Sequence, residues 1–242
     1  MDKKKKIIIT GASSGIGLSI AEKLLKKGFF IIGIGRNFRK NPINHPNFLP
    51  IQIDLSRLKE LPLIFKKLKN QHPDVQGIIC NAGYGCFAHL EEISYGDIQN
   101  LIATNFTCHA YLVKTYLPLF KKKKEGDFIF IGSESSLKGK KKGSIYCASK
   151  FAIRGFSQAL REECSKENIR VCLINPGSTS TPFFQNLSFS PGKDPYHHIL
   201  PEDLAETIFM VLNARQGTVF EEINISPQKK VLRFLDSDRN IK

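Results

Sequence analysis

The sequence predicts an α/β fold: a single domain on a doubly wound parallel sheet of about seven strands, with helices on both faces. Three observations predict it. Short apolar runs alternate with segments of helical periodicity along the whole chain. A glycine-rich turn, Gly11-Ala12-Ser13-Ser14-Gly15-Ile16-Gly17, joins the first apolar run to the first helical segment. Polar or glycine motifs follow the ends of successive runs, where open parallel sheets bind ligands. A length of 242 residues suits one such domain with a sizeable core.

The elements follow in order. Residues 5–10, Lys-Lys-Ile-Ile-Ile-Thr, read as a buried strand. Ile16, Ile20, Leu24 and Leu25 then recur at helical spacing to residue 27, where Gly28 stops the helix. Glycines at the turn allow a pyrophosphate to approach the free N–H groups of the helix N-terminus, so strand, turn and helix together predict a dinucleotide site. A second apolar run, residues 29–35, ends in Gly35-Arg36-Asn37, near where a ribose-reading residue is expected. A carboxylate there would bond a 2′-hydroxyl and repel a 2′-phosphate. Arg36, with Arg39 nearby, suits the phosphate instead, so NADP(H) is favoured over NAD(H).

Pro42, Pro46 and Pro50 leave room for only a short helix, or none, before the third strand, residues 47–53, which ends at Asp54-Leu55. Ser56 is expected to cap a helix carrying Leu58, Leu61, Ile64, Phe65 and Leu68. Strand four, residues 76–80, runs into Asn81-Ala82-Gly83. Residues 97–122 read as one long helix, with Asn105 near its middle and Pro118 kinking or ending it. Strand five, residues 127–131, is followed by Gly132-Ser133, and a helix bearing Tyr146 and Lys150 extends to about residue 166. Strand six, residues 170–174, precedes Asn175-Pro176-Gly177. Residues 178–200, rich in Ser, Pro and Gly and carrying Phe183, Phe184 and Phe189, read as a substrate-binding lid. A helix over 201–213 and a strand over 222–226 complete the pattern.

Tyr146 and Lys150 are spaced to share one helix face. An ammonium beside a phenol favours phenolate and is expected to lower the Tyr146 pKa toward working pH. The spacing alone equally describes a solvated helix surface, so the reading depends on the other motifs.

Lysine and arginine number 36 against 22 acidic residues, a net charge of +14. The excess gathers at Lys3 to Lys6, Lys121 to Lys124 and Lys138 to Lys142, without interleaved aromatics, so a solvated basic surface is favoured over nucleic-acid binding. No apolar run reaches the roughly 20 residues that span a bilayer, and the first residues lack a signal peptide's apolar core. The six cysteines form no Cys-x-x-Cys pair, which suits free thiols in the cytoplasm, and the six histidines lack metal-ligand spacing.

With these residues in hand the chain resembles the short-chain dehydrogenase/reductase family over essentially its whole length. The matching motifs are the glycine turn after Thr10, Asn81-Ala82-Gly83, Asn105, Ser133, Tyr146-x-x-x-Lys150, and Pro176-Gly177 followed by Thr181-Pro182. Ser133 lies thirteen positions before Tyr146, as the family places its serine. The resemblance implies a Rossmann fold and the following roles. Gly11, Ser13, Ser14, Gly15, Ile16 and Gly17 would hold the pyrophosphate and adenosine ribose. Asp54 and Leu55 would lie by the adenine, and Asn81, Ala82 and Gly83 by the neighbouring ribose. Ser133 would polarise the substrate carbonyl and Tyr146 would protonate its oxygen. Lys150 would hold the nicotinamide ribose and lower the Tyr146 pKa, and Asn105 would anchor a water relaying protons to Lys150. Pro176, Gly177 and Thr181 would seat the nicotinamide.

The resemblance also implies a small carbonyl or alcohol substrate and a homodimer or homotetramer. The ending after the last strand, with Pro201-Glu202-Asp203 before it, resembles the branch containing NADP-dependent 3-hydroxy acid dehydrogenases. Acyl-carrier-protein ketoreduction is the alternative within the enzyme class. An NADP-binding interaction protein with a basic surface is the alternative outside it. Lys140-Lys141-Lys142, between Ser133 and Tyr146, would either attract an anionic substrate or acidic carrier or remain a solvated loop.

Overall fold

The computed structural model describes residues 5–234. Numbered in chain order, β1 (Lys6–Thr10), β2 (Phe30–Gly35), β3 (Phe48–Gln52), β4 (Gly77–Cys80), β5 (Gly126–Ile131), β6 (Ile169–Pro176) and β8 (Glu222–Ile225) form one seven-stranded sheet. Its order is β3-β2-β1-β4-β5-β6-β8, and every pairing is parallel. The strand order reverses between β1 and β4, the place where open parallel sheets form a crevice. The helices are α1 (Gly15–Lys26), α2 (Leu61–Gln71), α3 (Tyr95–Ile102), α4 (Cys108–Lys123), α5 (Ser144–Cys164) and α6 (Pro201–Leu212).

Two cores follow from the strand period of two. Ile8, Phe128, Phe130 and Leu173 point to one face and pack with Phe65 of α2, Tyr116 of α4 and Leu160 of α5. Ile7, Ile9, Ile129 and Ile174 point to the other and pack with Leu24 of α1 and Ile208 of α6. Burial on both faces explains why the strands read as continuous apolar runs.

Three expectations need correction. Ser56 does not cap α2, which begins five residues later at Leu61; the Ser56 hydroxyl instead donates to Asp54 Oδ1 at 2.7 Å. The stretch expected as one helix is α3, a π-helical segment over Ala103–Thr107, and α4. The interruption therefore falls at Asn105 and not at Pro118, which lies within α4. Pro118 and Lys114 are both exposed, so the carbonyl that loses its helical donor meets water. Residues 178–200 are mostly irregular, but they contain β7 (Phe189–Pro191), which pairs antiparallel with an unforeseen last strand, β9 (Leu232–Phe234). The readings placed on the first residues, including Lys3 and Lys4, lie outside the described residues.

The basic runs also divide. Lys5 donates to Asp127 Oδ2 at 2.9 Å and Lys6 to Asp74 Oδ1 at 2.8 Å, so these two serve the fold. Asp127 is 5% exposed and also accepts from Arg170 Nε at 2.6 Å, while the rest of that guanidinium donates to the Ala214 and Leu212 carbonyls. This network ties the starts of β5 and β6 to the end of α6, opposite the crevice. Replacing Asp127 by Ala removes the carboxylate partner of the part-buried Arg170 and is expected to cost about 2 kcal/mol in denaturant unfolding.

Candidate active site

The crevice is built by joining the ends of β1 and β4. The Thr10 hydroxyl accepts from the backbone N–H of Asn81 at 2.9 Å and of Ala82 at 3.0 Å. In return, Asn81 Nδ2 donates to the Thr10 carbonyl at 2.9 Å and the Gly11 carbonyl at 3.4 Å. Gly11 has φ +70°, and an added Cβ would lie 3.0 Å from the Ala82 Cα, so neither the conformation nor the space admits a side chain. His109 completes the clamp: its Nε2 lies 2.8 Å from the Ala82 carbonyl, an arrangement that fits Nε2–H as donor. Burial lowers the His109 pKa to about 4, with the Lys150 charge acting in the same sense, so this imidazole is neutral.

A cleft of about 1180 Å³ opens above this join. It is walled by Gly11, Ser13, Ser14, Gly15 and Ile16 of the glycine turn and by Arg36, Asp54 and Leu55 at the ends of β2 and β3. Asn81, Ala82, Gly83, Ser133, Tyr146, Lys150, Pro176, Gly177 and Thr181 line the rest of it. Two expected members stand behind the wall. Gly17 packs against the turn, where an added Cβ would lie 2.2 Å from the Gly11 oxygen, so it seats α1 against β1 and leaves ligand contact to its neighbours. Asn105 is 1% exposed, held by the π-helical segment. Its Oδ1 accepts from the Tyr84 N–H at 3.0 Å, while Nδ2 donates to the Tyr84 carbonyl at 3.0 Å and to Ser149 Oγ at 3.1 Å.

The cleft's donor set fits a phosphorylated dinucleotide. The open N-terminus of α1, with Ser13 and Ser14 at its entrance, presents N–H groups to an anion. Asp54 is engaged locally, accepting from the Ser56 hydroxyl and N–H, and these bonds hold its carboxyl below the usual range, with Arg36 and Arg57 contributing. Arg36 itself is exposed on the wall, while Arg39 is not among the wall residues. Thr181 lines the wall and also caps the turn over Pro182–Phe184, accepting from the Phe183 N–H at 3.4 Å.

At the inner end of the cleft, Tyr146 and Lys150 are 6% and 5% exposed on one face of α5. Lys150 Nζ donates to the Ile131 carbonyl at 3.0 Å and lies 5.8 Å from the Tyr146 ring centre. The Ser133 side chain acts on the Tyr146 hydroxyl, favouring its ionised form. Tyr146 and Lys150 share the helix face, but the Tyr146 pKa is raised and not lowered. Burial pushes the Tyr146 phenol up to about 12, the Ser133 side chain offsetting this only in part, and burial lowers Lys150 to about 8. Desolvation thus outweighs the ammonium's attraction, because the ammonium is directed to a carbonyl.

Several positioning residues carried no sequence signal of their own. Asn175 is fully buried; its Oδ1 accepts from the Ser133 N–H at 3.3 Å, and its Nδ2 donates to Glu222 at 3.0 Å and Asn224 at 2.9 Å. It precedes Pro176-Gly177 and could have been found only from that position. Ser149 donates to the Tyr146 carbonyl at 2.7 Å and links Asn105 to α5. Lys140, Lys141 and Lys142 line the same cleft, with Lys140 3.5 Å from Glu134. All six cysteines are free, and the described residues hold neither a metal-binding cluster nor a helix long and apolar enough to cross a membrane.

In the cofactor-free protein, an alkaline titration near 295 nm should give equal phenolate absorbance for wild type and Tyr146→Phe through about pH 10. A phenolate lost by the variant near neutral pH would contradict the buried, protonated phenol.

Known proteins resemble this chain in sequence and in fold. An NADP-dependent 3-hydroxy acid dehydrogenase of Schizosaccharomyces pombe is 30% identical over 240 residues, spanning 92% of each chain. A 3-ketodihydrosphingosine reductase of Bacteroides thetaiotaomicron is 31% identical over 184 residues, 76% of this chain and 67% of that one. The solved alcohol dehydrogenase of the archaeon Thermococcus sibiricus, complexed with 5-hydroxy-NADP, superposes with a TM-score of 0.81 at 26% identity, covering 92% of this chain and 96% of that one. The short chain dehydrogenase family model matches residues 5–190, and the chain is a member of that family of oxidoreductases.

Proposed function

We propose that the protein is an NADP(H)-dependent oxidoreductase that interconverts a carbonyl and a secondary alcohol on a small or medium substrate in the cytoplasm. One observation carries the reading: Tyr146, Ser133 and Lys150 meet at the inner end of the cleft whose other end presents Arg36. NADP(H), when bound, supplies or accepts the hydride. The chain's own residues manage the proton and the charge. In reduction, negative charge develops on the carbonyl oxygen. The Tyr146 hydroxyl donates a proton to it and the Ser133 hydroxyl donates a hydrogen bond, so both interactions strengthen toward the transition state. The high Tyr146 pKa keeps the phenol loaded with that proton. Gly11, Ser13, Ser14, Gly15 and Ile16 would hold the pyrophosphate and adenosine ribose, Asp54 and Leu55 the adenine, and Asn81, Ala82 and Gly83 the adjoining ribose. Lys150 would hold the nicotinamide ribose, Pro176, Gly177 and Thr181 would seat the ring, and Asn105 would anchor a water relaying protons to Lys150.

The 3-hydroxy acid dehydrogenase and the 5-hydroxy-NADP complex support the choice of cofactor and reaction. The lysines at 140–142 support a second reading, acyl-carrier-protein ketoreduction, because they place positive charge beside the substrate end of the cleft. Activity on a carrier-linked β-keto thioester would decide for it. Assembly as a homodimer or homotetramer through the long helices is supported by Phe151, 44% exposed on α5.

Tyr146→Phe is expected to lower kcat at least about 10²-fold while NADPH still binds; an unchanged rate would remove the carbonyl-reducing role. Arg36→Asp is expected to reverse a preference for NADPH over NADH in parallel cofactor titrations, since a carboxylate repels the 2′-phosphate and accepts from a 2′-hydroxyl.

A further inference from the structure

The substrate end of the cleft is walled by phenyl rings drawn from four separate parts of the chain. Phe87, from the loop after β4, stands 5.0 Å from the Tyr146 ring centre, and Phe183 stands 5.9 Å from it on another side. Phe184 lies 5.2 Å beyond Phe183, and Phe189 of β7 closes the circle at 5.9 Å from Phe184 and 5.0 Å from Phe87. Phe234 of β9 extends the wall outward, 6.4 Å from Phe189, directly across the antiparallel pairing. All five line the cleft. The four inner rings are half-buried and Phe234 is 76% exposed, so each keeps surface that water must cover when no ligand does.

We propose, building on the reductase reading, that the substrate carries an extended alkyl or aryl flank beside its reacting carbon, and that Phe189 and Phe234 set how long a flank is accepted. Covering these rings with hydrocarbon removes apolar surface from water on both partners. A short hydroxy acid would do the opposite: its carboxylate, a bond or two from the carbinol, would be desolvated against phenyl rings. The wall's lysines, at 140–142, flank the ring circle on one side; Arg36 belongs to the opposite end of the cleft and Glu134 is engaged by Ser226 and Lys230. Phe234 enters the wall only because β9 pairs with β7, so the end of the described chain takes part in substrate selection.

The test measures kcat/KM with NADP⁺ for 2-butanol through 2-octanol and for 3-hydroxybutyrate. The expected result is a rise of about three- to four-fold per methylene, with 3-hydroxybutyrate at least about ten-fold below 2-pentanol. A flat series, or a preference for 3-hydroxybutyrate, overturns the proposal and leaves the oxidoreductase reading intact. Phe234→Ser, whose side chain is mostly exposed and whose loss the fold should tolerate, is expected to raise KM for 2-octanol several-fold more than KM for 2-butanol. An equal effect on both overturns the role of Phe234. A readout without turnover separates the two readings. Tyr146→Phe loaded with NADPH should bind 2-octanone at least about ten-fold more tightly than 2-pentanone by calorimetry. Equal affinities overturn the apolar flank. Graded binding with no turnover of any probe by the wild type upholds the apolar site and counts against the oxidoreductase reading.

Discussion

The hydrogen bonds from Asn81 N–H and Ala82 N–H to the Thr10 hydroxyl join two strands that lie side by side where the strand order reverses. Backbone groups leaving a buried sheet must find partners, and here one hydroxyl supplies them for the chain leaving β4. Asn81 returns the favour to the glycine turn, so the floor of the cleft is a single cross-linked unit. His109, neutral because burial disfavours its charge, adds a third bond to that unit from α4. The base of the cleft is thus cross-linked from β1, β4 and α4.

The inner end obeys a different constraint. Tyr146 and Lys150 are both deprived of water, and desolvation favours the neutral form of each. Around them the polar contacts are filled in sequence: Asn105 to Ser149, Ser149 to the Tyr146 carbonyl, Lys150 to the Ile131 carbonyl, and Asn175 to the Ser133 backbone. These bonds restrict the conformations of the side chains and backbone at this end of the cleft. Asn105 lies buried in the π-helical segment over Ala103–Thr107, and such segments recur at functional sites. The outer part of the cleft contrasts with this polar order, being walled by aromatic rings packed against one another.

The strands, the glycine turn and the motif at each strand end were legible because their signals are local. Ile7, Ile8 and Ile9 must be a strand buried on both faces, and Tyr146 and Lys150 must share a helix face. The misread elements have non-local causes. Ser56 is a good capping residue, yet it serves Asp54 because α2 starts at Leu61, where Leu61 and Phe65 reach the core. Pro118 breaks no helix because its missing bond faces water, whereas the break at Asn105 is set by partners at Tyr84 and Ser149, 21 and 44 positions away. Gly17 belongs to the motif but touches Gly11, which periodicity cannot reveal.

By itself the sequence determined the parallel α/β order, the cleft at the strand ends and the residues proposed to act there, Arg36 among them. These are properties of spacing and residue type, and they survive any rearrangement of loops. Tertiary structure alone decided the direction in which Tyr146 and Lys150 are shifted, because the burial behind both shifts depends on elements distant in the chain. It also decided that Phe87, Phe183, Phe184, Phe189 and Phe234 form one wall, since only the pairing of β7 with β9 and the return of the loop after β4 bring them together.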